Sequence, residues 1–314
     1  MLAVRLLPPA LAAILAAIAG ASEPYRPDCD RYGVCLPAGA MGDGTSDDTA
    51  AVQGALLALE AGQSLHFPPG VYLVRNLTLP DLAGITISGA AGFPSRSVLK
   101  LANDSQYSWV LASANFVENA TFTGQPMTLR DMTFAGPADA LATGTSGFIM
   151  MQWSSTVSGC TFVGFETGLR VSTVTLHGAP ITTSMVNNRY TQNVFEQNTG
   201  AGFRIADPSR HTATDYFLLD SFSMYNKGSG FDLDTSAGAL VRGNHLYSNG
   251  VGVDINIGAR RRTLFLLCCI LPRQTWDLHS ECIRKTDKTE CLFSQARRRC
   301  VSLTTTSRTR HRCV

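Results

Sequence analysis

Val241-Arg242-Gly243-Asn244-His245-Leu246-Tyr247-Ser248-Asn249-Gly250-Val251-Gly252-Val253-Asp254-Ile255 places apolar side chains at 241 and 246, a glycine at 252, then apolar side chains at 253 and 255. Three earlier segments fit the same template: Val157/Phe162/Gly168/Leu169/Val171, Tyr190/Phe195/Gly202/Phe203/Ile205 and Leu219/Met224/Gly230/Phe231/Leu233. A looser copy begins at Leu129/Phe134. The starts lie 28, 33, 29 and 22 residues apart, so the shortest step reads as a bare coil and the longer ones as coils with loop insertions. Steps of this size mean stacked units that share one core. Apolar positions two apart mean strands rather than helix turns. Asn198, Asn226 and Asn249 fall between strands and suit left-handed corner positions. A β-sandwich is the competing architecture, but sandwiches do not keep one spacing over four segments.

Alternation turns the residues between the inward ones outward. On successive coils these are Arg170 and Ser172, Arg204 and Ala206, Asp232 and Asp234, then Asp254 and Asn256. Parallel strands lie about 4.8 Å apart, so Asp232 and Asp254 become neighbours, with Arg204 one rung before Asp232. Two stacked carboxylates repel, which predicts a raised pKa for at least one. A raised carboxyl beside an arginine suits proton transfer, and carboxyl pairs about 5–9 Å apart serve glycoside hydrolysis. A charged surface ladder that only supports solubility and rung pairing gives the same pattern. Asp232, Asp254, Asp234 and Arg204 are therefore the candidate catalytic residues. Arg170, Asn256, Lys227, His245 and His211 are candidate substrate contacts; His211 sits in the insertion Asp207-Pro208-Ser209-Arg210-His211, and Lys227 and His245 lie near coil corners.

Upstream of the coils, Gly42-Asp43-Gly44-Thr45-Ser46-Asp47-Asp48-Thr49-Ala50-Ala51-Val52-Gln53 reads as a turn entering a helix. Thr45 or Ser46 is expected as the cap, with Asp47 and Asp48 in the first turn, where unpaired N–H groups and the positive dipole end favour acids. Val52, Leu56, Leu57 and Leu59 are expected to form its apolar stripe, with the helix ending near Gly62. Capping accounts for the acids without a metal. Ser64–Val74 then reads as strand, turn, strand, with His66 a satisfied strand residue.

With Tyr32-Gly33, Gly39-Ala40-Met41-Gly42-Asp43-Gly44, Asp47-Asp48-Thr49-Ala50-Ala51 and Phe67-Pro68-Pro69-Gly70-Val71-Tyr72, the chain resembles the pectate lyase-like (pectin lyase-like) superfamily over roughly residues 31–257. The resemblance implies an all-β fold, a right-handed parallel β-helix with an N-terminal amphipathic capping helix. It implies a secreted protein that cleaves or modifies an acidic polysaccharide, pectin- or alginate-like. It does not choose the chemistry, because lyases, glycosidases, epimerases and tailspikes share the signature. Ser229-Gly230-Phe231-Asp232-Leu233-Asp234 and Asn244–Gly250 are similar to the catalytic coil of mannuronan C5-epimerases, whose Tyr-Gly-Phe-Asp-Pro-His makes Asp232 the catalytic acid by resemblance. Ser229, Leu233 and Asp234 depart from that pattern, and the last removes a proton-transfer partner. Polygalacturonase motifs are missing: Asn198-Thr199-Gly200 lacks the acid, and neither Gly-His-Gly nor Arg-x-Lys occurs. Pectate lyases use calcium; Asp232, Asp234 and Asp254 are the right types for a hard cation, so calcium is an optional cofactor and none is required. A non-catalytic carbohydrate-binding or adhesive β-helix, or an inactive truncated family member, is the alternative.

Met1–Ala21 reads as a signal peptide, with Arg5, an apolar Leu11–Ile18 and Ala19-Gly20-Ala21 before the cleavage point. Export to the extracellular space or cell wall lets Cys29 and Cys35 pair, and Asn76, Asn103 and Asn119 head glycosylation sequons. The 314 residues are 45% hydrophobic and 16% charged, which excludes a disordered or collagen-like chain. No apolar run reaches the roughly 18–20 residues of a membrane span. P-loop, dinucleotide, zinc and Ser-His-Asp patterns are missing, and no nucleic-acid partner is expected. The net charge of +2 hides a split. Residues 260–314 hold 13 of 26 Lys and Arg, 4 of 24 acids and six of nine Cys. The coil pattern stops at Ile257-Gly258, so 22–258 is the expected β-helix domain. Residues 259–314 form a basic Cys-rich tail: a basic arm, a disulfide-stapled cap, a disordered segment, or the product of a frameshift or retained intron.

Overall fold

The structure is a computed structural model. It describes residues 39–92, 94–103, 108–137, 142–210, 212–235 and 238–257, together with the backbone of the short strands Val34–Cys35, Phe265–Leu267 and Arg284–Lys285. The signal-peptide reading, Cys29, His211 and nearly all of the tail lie outside these residues, as do the side chains of Cys35 and Asn256.

Strands recur in a fixed cycle of three. Each cycle adds one parallel strand to sheet A, sheet B and sheet C in turn, and the sheets reach nine, eight and eight strands. In one coil the cycle runs Arg189–Thr191, Val194–Glu196, Phe203–Ala206; in the next, Phe217–Leu219, Phe222–Met224, Ser229–Thr235. All the paired strands run parallel, as a solenoid of right-handed coils requires. The chain is a right-handed parallel β-helix. Pairing continues past Gly258, where Phe265–Leu267 joins Leu240–Arg242 and Arg284–Lys285 joins Asp254–Ile255.

Inward side chains from all three sheets fill one column. Leu129, Val157, Tyr190, Leu218 and Val241 follow one another in sheet A, all fully buried. Phe134, Phe162 and Phe195 stack in sheet B at 4.9 and 5.5 Å, with ring planes within 12°. The third repeat is displaced by one residue from its expected alignment. Leu218 and Ser223, not Leu219 and Met224, face inward, so the coil steps become 28 and 23 residues. Two adjacent leucines leave the register open in sequence, and a one-residue slip reverses every side chain. The inward Ser223 is satisfied by a hydrogen bond from Asn226 Nδ2 at 3.0 Å.

The corner asparagines also differ from expectation. The left-handed residues are Gln197, Tyr225 and Ser248, each immediately before an asparagine. Asn198, Asn226 and Asn249 instead point into the corner and form a ladder. Asn198 Nδ2 donates to Asn226 Oδ1, and Asn226 Nδ2 to Asn249 Oδ1, both at 2.8 Å. Asn193 and Asn244 play a matching part at the corner between sheets A and B, where they accept from the backbone of Cys160 and Ser221. Gly202 leaves room beside the ladder: a Cβ there would lie 2.7 Å from Phe195 Cβ and 3.0 Å from Asn226 Nδ2.

The N-terminal helix spans Thr49–Leu57, shorter than expected. Its N-cap residue is Asp48, and no acid lies in its first turn. Asp48 reaches back to accept from the N–H groups of Met41 and Gly42, so it closes the preceding turn rather than capping the helix. Asp43 accepts from Thr45 and Ser46, and Asp47 from Thr49 and Arg75. The helix buries Val52, Ala55 and Leu56, and Leu59 just past its end is buried too, whereas Leu57 is 67% exposed. Leu57→Lys is therefore expected to change unfolding free energy by no more than about 0.5 kcal/mol in a denaturant titration. His66 Nδ1 lies 3.1 Å from Ser88 Oγ, as a satisfied strand residue does.

Candidate functional site

The outer face of sheet C gathers the charges. Backbone register places Arg170 beside Arg204, Arg204 beside Asp232, and Asp232 beside Asp254, in one column along the solenoid. A second column, two residues on, carries Ser172, Ala206, Asp234 and Asn256. The inward partners that fix this orientation are Leu169, Phe203, Phe231 and Val253, then Val171, Ile205, Leu233 and Ile255, all buried.

Asp232 is the most perturbed acid of the column. Its side chain is 25% exposed, and Arg204 Nε lies 3.2 Å from Asp232 Oδ2. Burial raises its pKa above the ordinary carboxylate value; Arg204 opposes this, while Asp234 and Asp254 add to it. The rise predicted from stacked acids is present, but burial is its main cause. Arg170 follows a related logic: burial, then the like charge of Arg204, lowers its pKa, with Glu166 opposing. Arg170 Nε is buried and has no hydrogen-bond partner among the described residues. Arg204 Nε is close to Asp232 but not aligned for a hydrogen bond. Two arginines on neighbouring rungs thus each keep an Nε–H without a hydrogen bond, and the second adjoins a carboxyl whose pKa burial has raised.

A further pair was not foreseen from sequence. Arg210, on the turn after Phe203–Ala206, brings Nε to 4.0 Å from Asp234 Oδ1. The turn is held by Asp207, which is fully buried. Asp207 accepts from Thr173 Oγ1 at 3.0 Å, Ser209 Oγ at 2.5 Å, Thr212 N at 2.8 Å and Ala213 N at 2.9 Å. Burial alone would raise its pKa, but these hydrogen bonds outweigh it and hold the group below the usual value. The only trace in sequence is Asp207-Pro208-Ser209, a combination that favours an Asx-type turn.

The other candidates are dispersed. His245 lies on sheet B, its ring stacked on Phe222 at 4.9 Å, so it does not share the sheet C face. Lys227 is exposed on the corner from Phe222–Met224 to Ser229–Thr235, where its N–H donates to Asn198 O. Asn256 is placed by its backbone beside Asp234. Asn103 and Asn119 are exposed; Asn76 Oδ1 accepts from the N–H groups of Ser108 and Trp109. Among the described residues no three His, Cys, Asp or Glu side chains come together closely enough to hold a metal ion, so the calcium reading of Asp232, Asp234 and Asp254 gains no support from their placement. No helix among the described residues is long and apolar enough to cross a membrane.

Residues 36–254 match the model of the family described as rhamnogalacturonase A/epimerase, pectate lyase-like. The chain belongs to this family. It is 26% identical to the mannuronan C5-epimerase AlgE5 of Azotobacter vinelandii, an alignment that covers 70% of this chain and 25% of AlgE5. The chain thus spans a quarter of that relative's length. The A-module of the mannuronan C-5 epimerase AlgE4 of Azotobacter vinelandii superimposes with a TM-score of 0.52 at 19% identity, over 70% of this chain and 59% of the module. The Agl-KA catalytic domain superimposes with a TM-score of 0.56 at 15% identity, over 76% of this chain and 46% of that domain. These two likenesses concern the fold. Relatives of the chain act on polysaccharides.

Proposed function

We propose that this protein is a secreted enzyme that cleaves or modifies an acidic polysaccharide on the outer face of sheet C. The observation that carries the proposal is the single column Arg170–Arg204–Asp232–Asp254, in which paired guanidiniums adjoin a carboxylate whose pKa burial has raised. Arg170 and Arg204 offer N–H donors that suit a uronate carboxylate in bidentate geometry. Neutralising that carboxylate makes the proton on the adjacent ring carbon easier to remove. Asp232 is then placed to move it: a raised pKa makes the ionised group a stronger base and the protonated group an acid usable nearer neutral pH. Asp234 and Asp254 flank Asp232 and add to the rise in its proton affinity. The reading of Met1–Ala21 as a signal peptide supports a secreted protein that meets such polymers outside the cell.

Soluble polygalacturonate and alginate, each with and without added calcium, test the proposal. A new ultraviolet-absorbing double bond identifies a lyase, new reducing ends without it a hydrolase, and unchanged chain length with altered uronate an epimerase. Binding of either polymer without turnover supports the second reading, a non-catalytic carbohydrate-binding β-helix. The ion pair between Asp232 and Arg204 on the neighbouring rung favours that reading, because rung-to-rung pairing is what a purely structural ladder also provides.

A further inference from the structure

Asp207 is a charged side chain with no solvent exposure, on a turn at the edge of the sheet C face proposed as the site. Burying a carboxylate is costly unless it is fully hydrogen-bonded. Here two hydroxyls and two backbone N–H groups meet it, from both the turn itself and Thr173 on the preceding coil. The arrangement ties Ser209, Thr212 and Ala213 to Asp207, and through Thr173 to the preceding coil. Arg210 itself has a φ of 56°, the left-handed conformation in which the turn redirects the chain. What the turn delivers is the Arg210 guanidinium, set 4.0 Å from Asp234. That ion pair is too long for a hydrogen bond, and a guanidinium carries five N–H donors. Arg170 and Arg204 stand on one side of the acids, and Arg210 brings a third cation from the loop.

We propose that Arg210 is a carboxylate-binding residue at the outer face of sheet C and that Asp207 is the positioning residue that holds it there. The ligand class is an acidic sugar chain, which rests on the function proposed above. In this arrangement the buried acid serves an anion site by geometry, although its own charge repels the anion.

That opposition of sign gives the test. Binding of the full chain to polygalacturonate and to alginate is measured for the wild type, Asp207→Asn, Arg210→Ala and the double variant. If Asp207 acted only through its charge, removing it would tighten binding of a polyanion. Positioning requires the reverse: Asp207→Asn weakens binding by about tenfold, as Arg210→Ala does, since a charge-assisted hydrogen bond is lost. The double variant is then no weaker than Arg210→Ala. Ser209→Ala, which deletes one of the four bonds without changing charge, shifts binding the same way by a smaller factor and covers the case in which Asp207→Asn does not fold. A ligand-free arm measures trypsin cleavage after Arg210, expected to be at least about tenfold faster in Asp207→Asn because the turn opens locally. Unchanged or tighter binding by Asp207→Asn, or unchanged cleavage, overturns the proposal. Wild-type protein that binds neither polymer overturns the acidic-sugar reading and the role of Arg210 with it, while the cleavage rates still decide whether Asp207 holds the turn.

Discussion

Asp232→Asn is expected to lower turnover of the polyuronate by about 10²–10⁴-fold, the usual contribution of a positioned acid or base. Asparagine keeps the shape and the oxygen near Arg204 but can neither take nor give the proton. Binding is expected to change little, because Arg170 and Arg204 remain. The pH profile tells which way the proton moves. If ionised Asp232 is the base, kcat/KM climbs with pH through its raised pKa; if protonated Asp232 is the acid, kcat/KM falls there. The substitution removes that limb in either case. Full activity in the variant would exclude Asp232 from the chemistry.

The same group makes a linked statement about stability. A carboxyl with a raised folded-state pKa favours the folded protein when protonated, and that contribution is lost as pH rises through the folded value. Near neutral pH, ionised Asp232 is therefore a net burden on the fold, since burial outweighs Arg204. Asp232→Asn should hold or raise the midpoint of thermal unfolding at pH 7, with the difference shrinking below the ordinary carboxylate range. An arginine that is 43% exposed remains hydrated without its partner, so its loss of Asp232 does not reverse the sign. Activity lost while stability is kept or gained is the pattern of a residue retained for chemistry. A fall in thermal midpoint at pH 7 would make Asp232 part of a structural ladder.

The coil was legible because its signal is redundant. Phe203, Phe231 and Val253 each follow a glycine and precede an alternate inward residue, so three coils fix one another's register, and the outward column Arg170–Arg204–Asp232–Asp254 follows from it. Legibility ends where two residues satisfy the same rule. Leu218 and Leu219 are equally apolar, and only the parallel pairing with Tyr190 and Val241 selects the first. In the helix, Ala55 rather than Leu57 faces the core because the docking angle is set by contacts with distant strands, among them the paired bonds between Gln53 and the backbone of Thr78. His245 stands thirteen positions after Asp232, but the chain turns two corners between them, from sheet C through Leu240–Arg242 of sheet A to sheet B, so the two side chains lie on different faces. The Asp207–Arg210 turn left almost no trace, because its geometry depends in part on a hydrogen bond from Thr173, a whole coil earlier.

The largest expected loss of stability comes from the corner ladder. Asn226 is buried, with a side chain bonded at both ends. Its Nδ2 donates to Phe195 O at 3.1 Å, Ser223 Oγ at 3.0 Å and Asn249 Oδ1 at 2.8 Å; its Oδ1 accepts from Asn198 N at 3.0 Å and Asn198 Nδ2 at 2.8 Å. Asn226→Ala strands the Asn198 N–H and the Phe195 carbonyl in a site that excludes water. Each orphaned group costs about 1–3 kcal/mol and the vacated volume adds to it, so a loss of about 3–5 kcal/mol is expected in denaturant unfolding. Coils touch only their neighbours, so the damage should centre on residues 193–251, seen as faster amide exchange there than in the N-terminal coils. Asn226→Asp separates the two ends of the side chain. It keeps the acceptor for Asn198 but loses the donors and buries a charge, so it should be as damaging at pH 7. Acidification reverses part of that loss, because a protonated carboxyl regains one O–H donor for Phe195 O or Ser223 Oγ. Its unfolding midpoint should therefore rise, relative to wild type, as pH falls through the elevated pKa of the buried acid. Equal deficits at both pH values would mean that the ladder acts by packing rather than by hydrogen bonding.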